Sequence, residues 1–236
     1  MHSLRGIRRT VTVTVLIAAV VALLGPTAHA GGKNVNPGVL PVHSNAFGNS
    51  YGEWSARWWQ WLLAIPAATN PNLDPTGADC AQGQGGKVWF LAGTFGDTVV
   101  RSCTVPNGKA IFFPILNAAF GAAVGDCEPT GVGPCVVSTL RAGAAAAVDN
   151  PDALEVTIDG VPLGNLDDYR VQSPVFSVTG PAGGLIPPGT FSPMVSDGYW
   201  ILLTPLSTGE HTIHFRGVPD GAAFVVDVTY HLTVGR

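Results

Sequence analysis

Residues 48–52 read Gly-Asn-Ser-Tyr-Gly, a literal G-x-S-x-G. In hydrolases this motif presents a nucleophilic serine on a sharp strand-to-helix turn that follows several βα units. Here it comes early in the chain, and no βαβ alternation follows it. A plainer chemistry accounts for the same residues. Ser50 with Glu53 three positions later is an S-x-x-E capping box, in which each side chain satisfies a free backbone N–H at a helix start. Ser50 is therefore expected to begin a helix, and a Ser50 esterase is the weakest catalytic reading.

His43, His211, His214 and His231 are the histidines beyond residue 30. His-Thr-Ile-His at 211–214 looks like a metal-ligand pair, but an odd spacing puts the two rings on opposite faces of a strand. Ile213 and Phe215 claim the core face, so His211 is expected inward and His214 outward. A hairpin turning near 217–222 would set His214 near Val225 and Asp227, and His231 opposite residue 208. His214 and His231 would then lie about 20 Å apart at 3.3 Å per residue. A His214–Asp227 surface pair is expected rather than a metal centre.

Asp167, Asp168, Asp197 and Asp220 fall in expected turns, and Asp74 and Asp79 in a loop before Cys80. Oxygen-rich turns could hold Ca²⁺, but EF-hand spacing is absent and Asp-Gly is ordinary turn chemistry. No cofactor and no metal site are expected. Two such carboxylates could also act as a glycosidase acid and base.

Four tryptophans lie within residues 54–61. Aromatic faces stack on sugars, so a glycan ligand comes to mind. At 100° per residue, however, Trp54, Trp58, Trp61 and Ile65 fall within an arc of about 60°. That is an anchoring stripe, which buries about 150–250 Å² per indole. Trp59 lies off the stripe and is the indole expected to line a groove, with Glu53 and Arg57 beside it. Glu53 and Arg57 are spaced i, i+4 and can pair.

The elements that must position these groups are set by periodicity. The helix should run from about Tyr51 to Ile65, ended by Pro66. From residue 87 the pattern changes to short runs rich in Val, Phe, Ile and Thr. Residues 87–95, 97–105 and 109–116 read as strands of a β-meander, with Pro114 marking an edge or a bulge. Residues 138–151 suggest a second, alanine-rich helix with a Ser/Thr start. Residues 153–163 form a hairpin about Asp159-Gly160, 169–180 another strand, and 198–206 a central strand apolar on both faces. Two strands close the chain. In the last, Phe224, Val226, Val228, Tyr230, Leu232 and Val234 alternate with polar residues, which marks one buried and one wet face. The expected fold is all-β: an antiparallel β-sandwich, jelly-roll or Ig-like, with an N-terminal tryptophan helix and one further short helix.

Residues 1–30 read as a cleaved signal peptide. Arg5, Arg8 and Arg9 form a basic start, residues 10–25 an apolar run, and Ala28-His29-Ala30 the A-x-A cleavage pattern. The apolar run is shorter than the ~18 residues of a span, so no stable membrane span is expected after cleavage. Residues 31–236 are expected to form one secreted domain, in which 9 basic stand against 16 acidic residues, a formal charge of −7. That sign and the lack of a basic stripe exclude nucleic acid as a partner. Charged residues make up only 12% of the chain, about half the usual share. Cys80, Cys103, Cys127 and Cys135 are an even set, and in an exported chain they read as disulfides. Three pairings exist. Cys80–Cys103 and Cys127–Cys135 are preferred, because each brackets a short turn-rich segment. C-x-x-C spacing is missing, which argues against zinc ribbons and redox pairs.

The stretches YGEWSARWWQWLLAIP, GKVWFLAGTFGD, CTVPNGKAIFFPILN and DGYWILLTPLSTGEHTIHF together resemble an uncharacterised group of secreted bacterial proteins. The resemblance covers most of the chain after residue 30. It implies export and a single domain, and it carries no activity and no functional residue. The expected role is a secreted binding or structural module of the cell envelope or extracellular space, with a glycan or envelope component as partner. The rival is a secreted hydrolase working through turn carboxylates.

Overall fold

Ser50 holds an extended backbone and its hydroxyl accepts from the Glu53 N–H at 3.3 Å, while the Glu53 carboxylate accepts from the Ser50 N–H at 2.7 Å. This reciprocal pair opens helix α1 (Tyr51–Leu63), which ends at the Ala64 cap just before Pro66. The computed structural model describes residues 36, 38–125, 127, 135–221 and 224–235. The expected signal peptide, the first residues of the lead-in and the interior of the Cys127–Cys135 loop lie outside the described residues. Residues Asn34–Arg236 make one compact unit, to which every element named below belongs.

The remaining elements are β1 (Val88–Phe90), β2 (Thr98–Pro106), β3 (Ala110–Gly121), α2 (Val137–Ala146), β4 (Ala153–Ile158), β5 (Val161–Pro162), β6 (Arg170–Gln172), β7 (Phe176–Gly180), β8 (Gly189–Leu203), β9 (Gly209–Val218) and β10 (Val226–Gly235). They form two five-stranded sheets. The first runs β1-β3-β8-β6, with β7 also on β8; the second runs β2-β10-β9-β4-β5. Both are mixed, because β1 pairs with β3 and β2 with β10 in parallel. That differs from the purely antiparallel sheets expected. The reason is connectivity: β1 and β3 are joined through β2, which lies in the other sheet, and parallel neighbours need such a long crossover. The expected meander of β1, β2 and β3 is corrected by the same fact.

Strand β3 explains the layering. Phe112 stacks on Trp200 of β8 at 5.1 Å and meets Tyr51 of α1 edge-on at 5.9 Å. Phe113 points the other way and stacks on Phe215 of β9 at 5.0 Å. The first sheet therefore lies between α1 and the second sheet. This is why β3 and β8 carry apolar residues on both faces, whereas β10 alternates buried and wetter positions along its length. Pro114 sits in an inner strand, and the ladder accommodates its missing N–H with a bulge between Pro114 and Leu116. The bulge presses toward β9, where a Cβ on Gly217 would come within 2.4 Å of the Ile115 carbonyl oxygen.

Both disulfides join the pairs preferred from the sequence, Cys80–Cys103 and Cys127–Cys135. Helix α2 begins one residue early, after Val136, without a side-chain cap; the serine and threonine expected to start it lie inside its first turn. The segment 169–180 is two short strands, not one. No helix among the described residues is long and apolar enough to cross a membrane.

Candidate functional site

All four tryptophans of α1 are buried. Three donate their indole N–H to a backbone carbonyl: Trp54 to Ala46, Trp58 to Leu91 and Trp61 to Gln82, at 2.8–2.9 Å. Trp59, off the stripe, is 8% exposed and its N–H has no partner. It lines a cleft of about 50 Å³ where α1 meets the β3 bulge and the loop after β1.

The opposite wall comes from the chain just beyond α1. Asn70 donates its amide N–H to the Leu62 and Ile65 carbonyls at 2.8 and 3.2 Å, which closes the helix end. Its side-chain oxygen then accepts from the Asn72 N–H at 3.0 Å and turns Asn72 toward the cleft. Asn72 is 5% exposed, and its side-chain oxygen is unpartnered. Asn117, beyond the bulge, also lines the cleft with an unpartnered amide nitrogen. Six buried side-chain polar atoms among the described residues lack a partner, and three of them belong to this one lining. A buried polar atom without a partner costs about 1–3 kcal/mol. Three of them on one small lining is an uncommon concentration of unsatisfied groups.

Arg101 braces both walls. It is 1% exposed, and its guanidinium donates to the carbonyls of Asp74 (2.7 Å), Gly93 (2.9 Å), Ala92 (3.0 Å) and Asn72 (3.3 Å) and to the Tyr230 hydroxyl (2.9 Å). Asn72 and Gly93 face each other across the cleft; a Cβ on Gly93 would lie 3.9 Å from the Asn72 side-chain oxygen. At the mouth stand two aromatic rings, Phe95 (51% exposed) and Phe224 (37% exposed). Phe224 rests over Gly96, whose added Cβ would come within 2.9 Å of the ring. Past Phe95 the cleft opens into a groove of about 280 Å³ that shares Asn72, Thr94 and Phe95 with it and continues along Asp97 and Thr98.

The other residues singled out from the sequence lie elsewhere. Glu53 faces a broad, open groove of about 700 Å³ beside Ser50 and His43. Hydrogen bonds from the Ser50 N–H and hydroxyl hold its carboxyl below the usual range. The Ser50 hydroxyl engages Glu53, not His43, among the described residues. Arg57 donates to the Asn49 side-chain oxygen at 3.1 Å and lies over the Trp54 ring, instead of pairing with Glu53. Trp59, Glu53 and Arg57 are thus not brought together.

Asp197 is not in a turn: it is buried in β8, where Arg170 and Gln172 donate to it at 3.0–3.2 Å. Asp74 accepts from the Thr76 and Asp79 N–H groups, and those bonds outweigh burial and hold its carboxyl below the usual range. The hairpin register also differs from that expected. His231 pairs with Thr212, two positions from His214 and on the same face, while His214 does reach Asp227 at 2.9 Å. His211 is held by Asp159 at 2.7 Å. No three His, Cys, Asp or Glu side chains group as a metal ion would need among the described residues.

Asn72, Asn117 and Phe95 carried no sequence signal for a site, and Phe224, expected on the buried face of the last strand, stands before β10 and is exposed; the four come from separate segments. No protein-family model matches the chain, and no curated protein does. A solution structure of amebosin is similar at 14% identity over 64% of this chain and 99% of that one, with a TM-score of 0.20. At that score the likeness carries no argument.

Proposed function

We propose that this protein is an exported, non-catalytic binding module of the cell envelope or extracellular space, and that its ligand is a glycan held at the Trp59 cleft. The observation that carries the reading is the convergence of three unpartnered buried polar atoms on a cleft whose mouth is two exposed aromatic rings. Aromatic faces offer stacking surfaces for sugar rings, and a few placed polar groups fix orientation. The two disulfides and the leader-like residues 1–30 support export. The two sheets facing each other at Phe113 and Phe215 support a sandwich-like architecture with the tryptophan helix over its outer side.

Binding is favoured over hydrolysis because Asp97 is the one carboxylate among the described lining residues of the cleft and its groove. A glycosidase needs two carboxyl groups flanking the bond. Glu53 faces another groove and its lowered pKa suits an anion, not a general acid. The test is retention on a polysaccharide array. Wild-type protein should be retained without releasing reducing ends. Trp59→Phe, which removes the N–H donor together with one ring of the indole, and Phe95→Ser at the mouth should each weaken retention. Retention on no glycan, or release of reducing ends, would overturn the reading.

A further inference from the structure

Strand β2 ends the second sheet, so one of its long edges has no neighbouring strand. Two bonds show which backbone groups face that way. The Asp227 N–H reaches the Asp97 carbonyl at 3.3 Å, so the odd-numbered residues along β2 turn their N–H and C=O groups toward β10. The Ser102 N–H points the opposite way, to the Thr76 carbonyl at 2.8 Å. Thr98 and Val100 share the parity of Ser102. Their N–H and C=O groups have no partner among the described residues. The edge is thus capped at Ser102 and open at Thr98 and Val100.

Folded proteins usually blunt such an edge with lysine, proline, a bulge or a covering loop. Here Val100 stands on the open stretch, 58% exposed. On the inner side of the same stretch runs the groove of about 280 Å³, walled by Leu73, Pro75, Phe95 and Val99, with Asp97 just before the strand. The exposed Asp97 carboxylate has no partner among the described residues, whereas Arg101, the other charged residue of the lining, is buried and bonded to five oxygens. We propose that the open edge of β2 takes an extended segment of a partner protein as an added strand, with an apolar side chain in the groove and a basic one against Asp97. This goes beyond the glycan reading: the site borders the Trp59 cleft and shares Phe95 with it, but its polar contacts are backbone groups of β2.

An extended peptide fits because its own N–H and C=O groups alternate at the pitch of the edge, about 3.3 Å per residue. Thr98 and Val100 together offer two donors and two acceptors. The cap at Thr76 keeps the added strand short. Its side chains alternate: one set lies beside the exposed Thr98 and Val100, and the other enters the groove. Partner residues two apart therefore meet the apolar wall and Asp97. The formal charge of −7 beyond residue 30, from 9 basic and 16 acidic residues, draws in the same sign of partner. A second copy of the chain would bring another Asp97 and no free cation from its own groove, so the occupant is a foreign basic segment.

The probe is the peptide Lys-Val-Leu-Val-Lys, acetylated and amidated, which sets lysine two positions from leucine in either chain direction. It is titrated into the disulfide-bonded protein and followed by calorimetry and by amide exchange in NMR. Binding should saturate and slow exchange at the Thr98 and Val100 N–H groups. The same peptide N-methylated at its three interior residues should bind more weakly by about tenfold or more, the loss expected for backbone hydrogen bonds. Glu-Val-Leu-Val-Glu should also be weaker, and Asp97→Asn should narrow the gap between the basic and acidic peptides. Val100→Pro should fold, because the Val100 N–H makes no ladder bond and proline is tolerated at such edge positions; it should weaken the lysine peptide by about tenfold or more. No saturable binding of that peptide, or equal binding of its N-methylated form, would overturn the proposal. So would equal affinity for the lysine and glutamate peptides. A wild-type dimer that Val100→Pro dissolves would give the edge to a second copy and overturn it too. If Val100→Pro does not fold, the N-methylated peptide and the exchange of the two amides decide. Failure here leaves the glycan reading standing, since retention on the array tests that separately.

Discussion

Phe112 and Phe113 are adjacent in the chain and belong to two different layers of the core, Phe112 stacked on Trp200 beneath α1 and Phe113 on Phe215 of the facing sheet. Both are fully buried. Phe113→Ala should cost about 3–5 kcal/mol, as aromatic truncations in cores do. Urea unfolding should show a lower midpoint. Because Phe113 faces away from α1, the helix should stay packed in the native state, which the near-ultraviolet signal of its tryptophans would report.

Ser50 is a structural residue. Ser50→Ala should cost about 1 kcal/mol, the usual worth of an N-cap side chain, read as a modest fall in melting temperature. Wild-type protein should not react with a fluorophosphonate probe, since the hydroxyl engages Glu53. Labelling of the wild type that disappears in Ser50→Ala would restore the esterase reading.

Arg101 joins stability to the site. Replacing it with Met removes a fork of donors from four carbonyls and from Tyr230. Hydrogen bonds to charged groups are worth about 1.5–3 kcal/mol each, so the loss should exceed about 3 kcal/mol in denaturant. Arg101→Lys should recover little, because an ammonium lacks the planar fork. A viable Lys variant should also show weaker retention of the glycan proposed for the cleft, since the Asn72 and Gly93 walls lose their common brace.

His211 and Asp159 form a titrating pair that links β9 to the β4–β5 turn. Burial lowers the His211 pKa, but bonds to the Asp159 carboxylate and the Ser207 carbonyl more than offset this and raise it. Burial raises that of Asp159, yet bonds from His211 and the Thr212 N–H hold it below the usual range. A histidine raised by folding contributes fully below its unfolded value and loses that contribution as pH rises through its folded value; a lowered aspartate contributes above its unfolded value and loses it as pH falls through its folded one. The pair is therefore at full strength between about pH 4 and 6.5, the unfolded values of the two groups. Proton NMR should show His211 titrating higher than an ordinary histidine, and Asp159→Asn should bring it down.

Local periodicity made much of this fold legible. The capping box, the pairing of cysteines and the alternation of β10 all rest on contacts among near neighbours or on a repeating pattern. What escaped it was non-local. The turn at Asn107-Gly108 looks the same whether β2 and β3 pair with each other or part into different sheets. The connection from Gly217 to Val226 determines where His231 falls, and misjudging it by a few residues moved His231 along the sheet. The off-stripe angle of Trp59 marked that indole for a groove, yet Trp58 of the stripe lines the same cleft. Its partners in the lining, Asn72, Asn117 and Phe224, are far apart in the chain and meet only through the β3 bulge and the brace of Arg101.

The parallel pairing of β2 with β10, in which Thr98 meets Asp227, governs when folding can finish. A polypeptide emerging amino end first, from a ribosome or a translocation pore, has made β2 long before its neighbour exists. The second sheet cannot close until the final strand arrives, so completion is late and slow, as for any topology dominated by distant contacts. Until then the edge of β2 that β10 covers stays open, the feature most prone to wrong association. Nascent chains stalled short of residue 226 should thus be far more dependent on holdase chaperones than the finished protein.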